Sequence, residues 1–135
     1  MENKYCILLH EGRDGHQVRS LTGDQDLLRY LQQTVRDGFI EIVRPVNLPE
    51  PYILVVNEEG ILRNMEINPL ACWLYNTQEH GAPIVGPAVI LKEVMSDDGP
   101  DLGLLTKEDV KKALSPVWKA HAWCAGHRFA WSDDE

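Results

Sequence analysis

The chain has 135 residues and a formal net charge of −8, with 44% hydrophobic and 25% charged residues. This is the length and balance of one globular domain, which can bury a core without disulfides or a metal ion. The apolar runs are too short for a membrane helix. The acidic balance argues against a protein that covers a long nucleic acid, because binding many phosphates requires a basic face.

The first third of the chain predicts a hairpin followed by a helix. Residues 4–10 and 17–21 have the pattern of two strands joined by the turn Gly12-Arg-Asp-Gly15. From Asp24 onward we expect an amphipathic helix that stops near Gly38. Its apolar stripe consists of Leu27, Leu28, Leu31 and Val35.

The central segment predicts a second hairpin. Residues 39–43 and 52–56 are rich in β-branched and aromatic side chains, which favours strands. After the second strand, Asn57-Glu-Glu-Gly60 predicts a tight turn with Gly60 at positive φ, and residues 61–63 predict the returning strand. Asn68-Pro69 then predicts a helix start, because asparagine caps a helix and proline fits its first turn.

Two predicted elements and a loop complete the chain. Residues 84–94 predict a strand, and residues 97–103 predict an exposed acidic loop. Thr106-Lys-Glu-Asp109 matches a capping box and predicts a helix. At Pro116 we expect this helix to bend or a new helix to begin.

Short connections between the strands favour an α+β fold. We predict a mixed, mainly antiparallel sheet of five or six strands, with three or four helices packed on one face. Residues 1–114 would form a single domain, which residues 115–135 extend as a C-terminal helix and polar tail. The N-terminus has no secretory pattern, and the cysteines are odd in number, so we expect reduced thiols in a cytoplasm.

Residues 38–91 contain four stretches in a recognisable order: GFIEIVRPV, YILVVNEEG with the following ILR, NPLA and IVGPAVIL. This segment resembles the domain of unknown function 3846, and the likeness extends more loosely from residue 4. Pro69 stands where members of that family often have a basic residue. The resemblance implies a phage or mobile-element protein that acts in the cytoplasm of a bacterial host. It implies no activity and no catalytic residue.

Polar residues of the central segment form the candidate ligand site: Asn57, Arg63, Asn64 and Asn68. Capping explains Asn68, and turn geometry can explain Asn57. Arg63 and Asn64 have no local explanation. Arginine can hold a phosphate through two parallel hydrogen bonds, and asparagine amides can pair with ribose or base edges.

A weak metal candidate lies near the C-terminus. His121 and Cys124 share one helix face and His127 follows, but a fourth ligand is missing. We therefore assign no metal, no cofactor and no catalytic residue.

Aromatic residues are concentrated in the same part of the chain. We expect Trp118 in the core, since it shares a helix face with Ala122. Trp123, Phe129 and Trp131 are harder to bury there and indicate an interface between copies of the chain, so we expect a homo-oligomer.

Three functions fit these observations. The first is a non-enzymatic, oligomeric sponge that sequesters a small anionic, nucleotide-derived defence signal of the host. The alternative is an inhibitor or adaptor that binds a host protein through an acidic face and the aromatic tail. A small-nucleotide hydrolase is a distant third, because no catalytic constellation is complete.

Overall fold

The structure, a computed structural model, describes residues 4–12, 15–22, 26–77 and 81–126. In this part of the chain the elements, in order, are β1 (Lys4–Leu9), β2 (His16–Leu21), α1 (Leu27–Thr34), β3 (Ile40–Val43), β4 (Tyr52–Asn57), α2 (Pro69–Tyr75), β5 (Ala88–Ser96), β6 (Gly99–Gly103) and α3 (Lys107–Gly126). None of these helices is long and apolar enough to cross a membrane.

The strands form one sheet in the order β2-β1-β5-β4-β3, and β6 pairs with the second half of β5. Every pairing is antiparallel. The central strand β4 is buried along its whole length. The structure therefore confirms the predicted α+β fold with a largely antiparallel sheet.

Helices cover both faces of the sheet, so the prediction that they share one face is not confirmed. In β4, the side chains of Leu54 and Val56 join the core beneath α2 and α3. Ile53 and Val55 alternate with them and join a second core beneath α1. Because β4 is apolar on both sides, each side of the sheet requires a covering layer.

The hairpin predicted after β4 is wrong. Residues 58–64 form consecutive turns and contain no strand. Both edges of β4 are already paired, with β3 and with β5, so no edge is left for a returning strand. Gly60 is not the residue at positive φ, which is Asn64 instead, with φ 57°. A Cβ on Gly60 would approach the Val85 side chain to 2.7 Å, which explains the glycine by close packing.

Three boundaries in the second half of the chain differ from the prediction. The expected acidic loop contains β6, a partly exposed strand that tolerates its one charged residue, Asp101, because it lies at the sheet margin. The strand β5 begins at Ala88, because Gly86 has a φ of 79° and Pro87 follows it. The helix α3 runs through Pro116 without a new start. The first helix begins after its N-cap Asp26, and Asp24 lies outside the described residues.

The capping box of α3 is confirmed and joins the helix to the sheet. The Asp109 carboxylate accepts hydrogen bonds from the Thr106 backbone N–H at 2.9 Å and the Thr106 hydroxyl at 3.0 Å. It also accepts hydrogen bonds from Lys92 of β5 at 2.7 Å and from the Tyr52 hydroxyl of β4 at 2.8 Å. Burial opposes ionisation, but these donors hold the pKa of Asp109 well below its usual range. Burial and the neighbouring carboxylate raise the pKa of Tyr52 to about 12.

Asn68 caps α2 as predicted, and its side chain does more than cap. It is fully buried, and its Oδ1 accepts a hydrogen bond from the Ala71 N–H at 3.1 Å. Its Nδ2 donates to the Leu9 carbonyl at 3.0 Å and to the Gly86 carbonyl at 2.9 Å. One amide therefore joins the start of α2 to the end of β1 and to the loop before β5.

We expect Asn68→Ala to lower the free energy of unfolding by about 3 kcal/mol, because it removes a cap and leaves two buried carbonyls without donors. Urea unfolding measures this loss. Asn68→Asp is the informative companion, because it keeps the capping oxygen but lacks the amide donors. If Asn68→Asp is as stable as the unsubstituted protein, only the cap matters and the wider role of Asn68 is wrong.

Candidate functional site

Asn57 and Arg63 meet at the loop that follows α1. The Asn57 Nδ2 donates to the Val35 carbonyl at 2.8 Å and to the Asp37 carbonyl at 2.9 Å, and its Oδ1 accepts from the Glu59 N–H at 2.7 Å. Arg63 Nη1 donates to the same Asp37 carbonyl at 2.5 Å. Both side chains therefore fix the turns after β4 against the end of α1.

The structure also gives a structural reason for the other two residues of the predicted ligand site, Asn64 and Asn68. Asn64 is exposed and adopts the left-handed conformation that asparagine tolerates better than most residues. Asn68 is buried away from Asn57 and Arg63, with its amide engaged by Leu9 and Gly86. A ligand role for these residues stays a prediction, but the structure supplies the explanation that Arg63 and Asn64 lacked in the sequence.

Asn64 gives a direct test of this explanation. We expect Asn64→Ala to destabilise the protein by about 1 kcal/mol, because alanine is strained at positive φ, and Asn64→Gly to be neutral or slightly stabilising. The measurement is urea unfolding of both variants. Equal stability of the alanine variant and the unsubstituted protein would show that the backbone does not explain this residue.

His121 and Cys124 do not converge on one point. His121 lies beside β2, where its Nε2 is 2.9 Å from the Nδ1 of His16. Cys124 packs against the core beneath α2 and α3, and burial raises the pKa of its thiol to about 11. His127 lies outside the described residues. Within the described ranges, no group of three or more His, Cys, Asp or Glu side chains could hold a metal ion.

The prediction that Trp118 lies in the core is wrong, since 58% of it is exposed. The buried stripe of α3 consists of Ala113, Val117 and Ala120, which turns Trp118 away from the sheet. Its ring meets His16 edge-on, with centroids 4.9 Å apart. Trp123 is partly buried on the same helix. Phe129 and Trp131 lie outside the described residues, so the proposed interface between copies stays a prediction.

The contact between His16 and His121 predicts a pH dependence of stability. Burial lowers the pKa of both imidazoles, and repulsion from His121 lowers that of His16 further. A lowered folded-state pKa means that stability is complete above the unfolded value of about 6.5 and is lost as pH falls below it.

We therefore expect His121→Gln to flatten the loss of stability between about pH 6.5 and pH 5, because one of the two titrating groups is removed. Chemical unfolding across this range measures the slope. His10→Gln is the matched control, because His10 is a partly buried histidine of the same hairpin outside this contact, and it should keep the slope. Equal slopes in all three proteins would contradict the assignment.

The opposite side of β2 forms a polar, concave surface that the sequence analysis missed. Alternation along the strand turns Gln17, Arg19 and Leu21 toward α1. Arg19 pairs across the ladder with Cys6. Its Nη1 donates to the Tyr30 hydroxyl of α1 at 3.1 Å, and its Nε donates to Gln17 Oε1 at 3.2 Å. Residues 17–22 and Tyr30 line this shallow region, which is widely open to solvent and has a volume of about 700 Å³. We call it the β2–α1 surface.

Arg19 lacks an acidic partner among the described residues, as Arg29 and Arg63 do, whereas two other arginines form ion pairs. Arg36 pairs with Glu11 at 2.5 Å, and Arg44 pairs with Glu93 through two hydrogen bonds. The two hydrogen bonds of Arg19 go to neutral groups, and three of its five N–H groups have no acceptor in the described part of the chain. The sequence signal was the spacing of Gln17 and Arg19, which puts both side chains on one face of β2, but the approach of Tyr30 depends on tertiary packing.

The fold and this surface define the class of protein: an α+β domain with a six-stranded antiparallel sheet, helices on both faces and an arginine on an edge strand that bonds to neutral groups. The chain belongs to the family described as domain of unknown function (DUF3846), whose model matches residues 4–116. The match confirms the resemblance, and it covers the chain from the start of β1 into α3. Neither the comparison with curated proteins nor that with solved structures returned a match.

Proposed function

We propose that this protein is a non-enzymatic binding protein that holds a small anionic, nucleotide-like molecule at the β2–α1 surface. The observation that carries the proposal is the guanidinium of Arg19, which faces a concave region and is oriented by Gln17 and Tyr30. An arginine whose geometry is already fixed loses less conformational entropy on binding, so more of the interaction energy contributes to affinity.

The groups around Arg19 match the parts of a nucleotide. The guanidinium N–H groups that have no acceptor among the described residues suit a phosphate, which they can bind with two parallel hydrogen bonds. The Gln17 amide provides a donor and an acceptor for a ribose or a base edge. The Tyr30 ring offers an aromatic surface at the same place, and its hydroxyl is held by Arg19. The sequence analysis expected this combination around Arg63, and we now propose it around Arg19.

In its full form, the proposal is a sponge that sequesters a nucleotide-derived defence signal in the cytoplasm of a bacterial host. The phage or mobile-element setting implied by the family resemblance supports this form. Stoichiometric capture of a signal requires a preformed surface and no chemical step. An oligomer would present several such surfaces, which fits the interface predicted for Trp123, Phe129 and Trp131.

Titration calorimetry against a panel of cyclic and ADP-ribose-derived nucleotides tests the proposal. For a ligand that binds, we expect Arg19→Ala to weaken affinity about 100-fold, which corresponds to the loss of two charge-assisted hydrogen bonds. Arg19→Lys keeps the charge without the planar fork, and we expect a loss of about tenfold.

Arg63→Ala is the matched control, because it removes an arginine whose described hydrogen bond goes to a backbone carbonyl outside the β2–α1 surface. We expect it to keep the full affinity. If binding survives Arg19→Ala and is lost in Arg63→Ala, the ligand site lies in the central segment and not at Arg19. If no nucleotide of the panel binds, the proposal is wrong. Co-purification of a basic host protein in that case would favour the inhibitor or adaptor function.

A further inference from the structure

Lys4 of β1 lies on the same side of the sheet as Arg19, at the margin of the β2–α1 surface. Every second residue of a strand faces the same way, so Lys4 lies on the side of β1 where Cys6 and Leu8 join the core beneath α1. In the ladder, Lys4 is paired with Leu21 of β2. The next pair on that side joins Cys6 to Arg19. Lys4 and Arg19 are therefore diagonal neighbours, one on each strand of the hairpin.

The spacing of the two residues allows both to contact one small molecule. Diagonal neighbours in an antiparallel pair lie about 7–8 Å apart, a separation that long side chains bridge. Lysine and arginine both carry their charge at the end of such a side chain. Because like charges repel each other, an anion that contacts both removes this repulsion in addition to forming its own hydrogen bonds.

No carboxylate neutralises either cation in the part of the chain that the structure describes. Lys92 is paired with Asp109 there, but Lys4 has no such partner. The residues that line the β2–α1 surface, 17–22 and Tyr30, include no acid. Two cations without a counter-charge thus share one surface of a chain whose net charge is −8. The ligand that this surface suits is a small anion with more than one charge.

We propose that the β2–α1 surface binds a nucleoside diphosphate, with one phosphate group held by Arg19 and the adjacent phosphate group held by Lys4. The proposal rests on the nucleotide-binding function proposed above and names the class of its ligand. The planar guanidinium binds one phosphate through two parallel hydrogen bonds, and the ammonium group neutralises the next phosphate as a point charge. Lys4 is then the residue that selects two phosphates over one.

The order of the side chains along the surface gives the direction of the ligand. Gln17, Arg19 and Leu21 follow one another on one side of β2. Lys4 lies opposite Leu21, at the far end of this row. The Gln17 amide therefore meets the nucleoside, Arg19 meets the first phosphate and Lys4 meets the second.

Titration calorimetry with AMP, ADP and ATP, in the absence of divalent metal ions, tests the ligand class. We expect ADP to bind about tenfold more tightly than AMP, because the second phosphate gains a charge-assisted contact. ATP should bind no more tightly than ADP, because the residues that line the surface provide no cation beyond Arg19. Inorganic pyrophosphate should bind about tenfold more weakly than ADP, since it lacks the nucleoside. Pyrophosphate that binds as tightly as ADP would contradict the nucleoside part of the proposal.

Substitutions of Lys4 test its role, with the ratio of the AMP and ADP dissociation constants as the readout. Lys4→Met should reduce this ratio from about ten to about one, because the second phosphate loses its partner, and Lys4→Arg should keep it. Lys112→Met is the matched control, because it removes the same charge from the exposed surface of α3 and should leave the ratio unchanged. Urea unfolding checks that each variant stays folded.

The outcomes separate the diphosphate ligand from the function on which it rests. A ratio near one in the unsubstituted protein, or a ratio that survives Lys4→Met, overturns the diphosphate ligand. Nucleotide binding that still requires Arg19 would in that case keep the nucleotide-binding function. If AMP, ADP and ATP all fail to bind, the diphosphate proposal is wrong, and a cyclic nucleotide that binds through Arg19 would still support the function.

Discussion

The buried amide of Asn68 holds together the end of the sheet on which the rest of the protein is assembled. Its three hydrogen bonds reach β1, the loop before β5 and the first turn of α2. These bonds fix the start of α2 on the sheet. The helix then packs into the core that α3 also covers, through Leu70, Ala71 and Leu74. A buried amide with all its groups paired stabilises one arrangement strongly, because any other arrangement leaves backbone carbonyls without donors.

Asn57 performs the corresponding task on the other side of β4. Its amide donates hydrogen bonds to the Val35 and Asp37 carbonyls, which follow α1, and thereby fixes the helix that covers the second core. The two asparagines therefore position the helices on opposite faces of one sheet. In the sequence, the amides and the arginine of the central segment resemble a binding site. In the structure, most of these polar groups form hydrogen bonds with the protein's own backbone.

The sequence predicted those parts of the fold that depend on local chemistry. The caps of α2 and α3, the strand β4 and the N-terminal hairpin all follow from nearby residues. The errors arose where a distant partner decides the outcome. Residues 61–63 could not return as a strand, because β3 and β5 already flank β4. The sequence did not single out Arg19, since Tyr30 approaches it only in the folded chain. Its polar neighbours on β2 were visible in the sequence, but their common surface was not.

The central claim is that the binding surface lies at Arg19 and that the polar central segment is structural. Native mass spectrometry of the protein purified from cells that make its ligand tests this most directly, with Arg19→Ala and Arg63→Ala prepared in parallel. We predict that the unsubstituted protein and Arg63→Ala retain the same small-molecule adduct and that Arg19→Ala loses it while remaining folded. An adduct that persists in Arg19→Ala and disappears in Arg63→Ala would contradict the account.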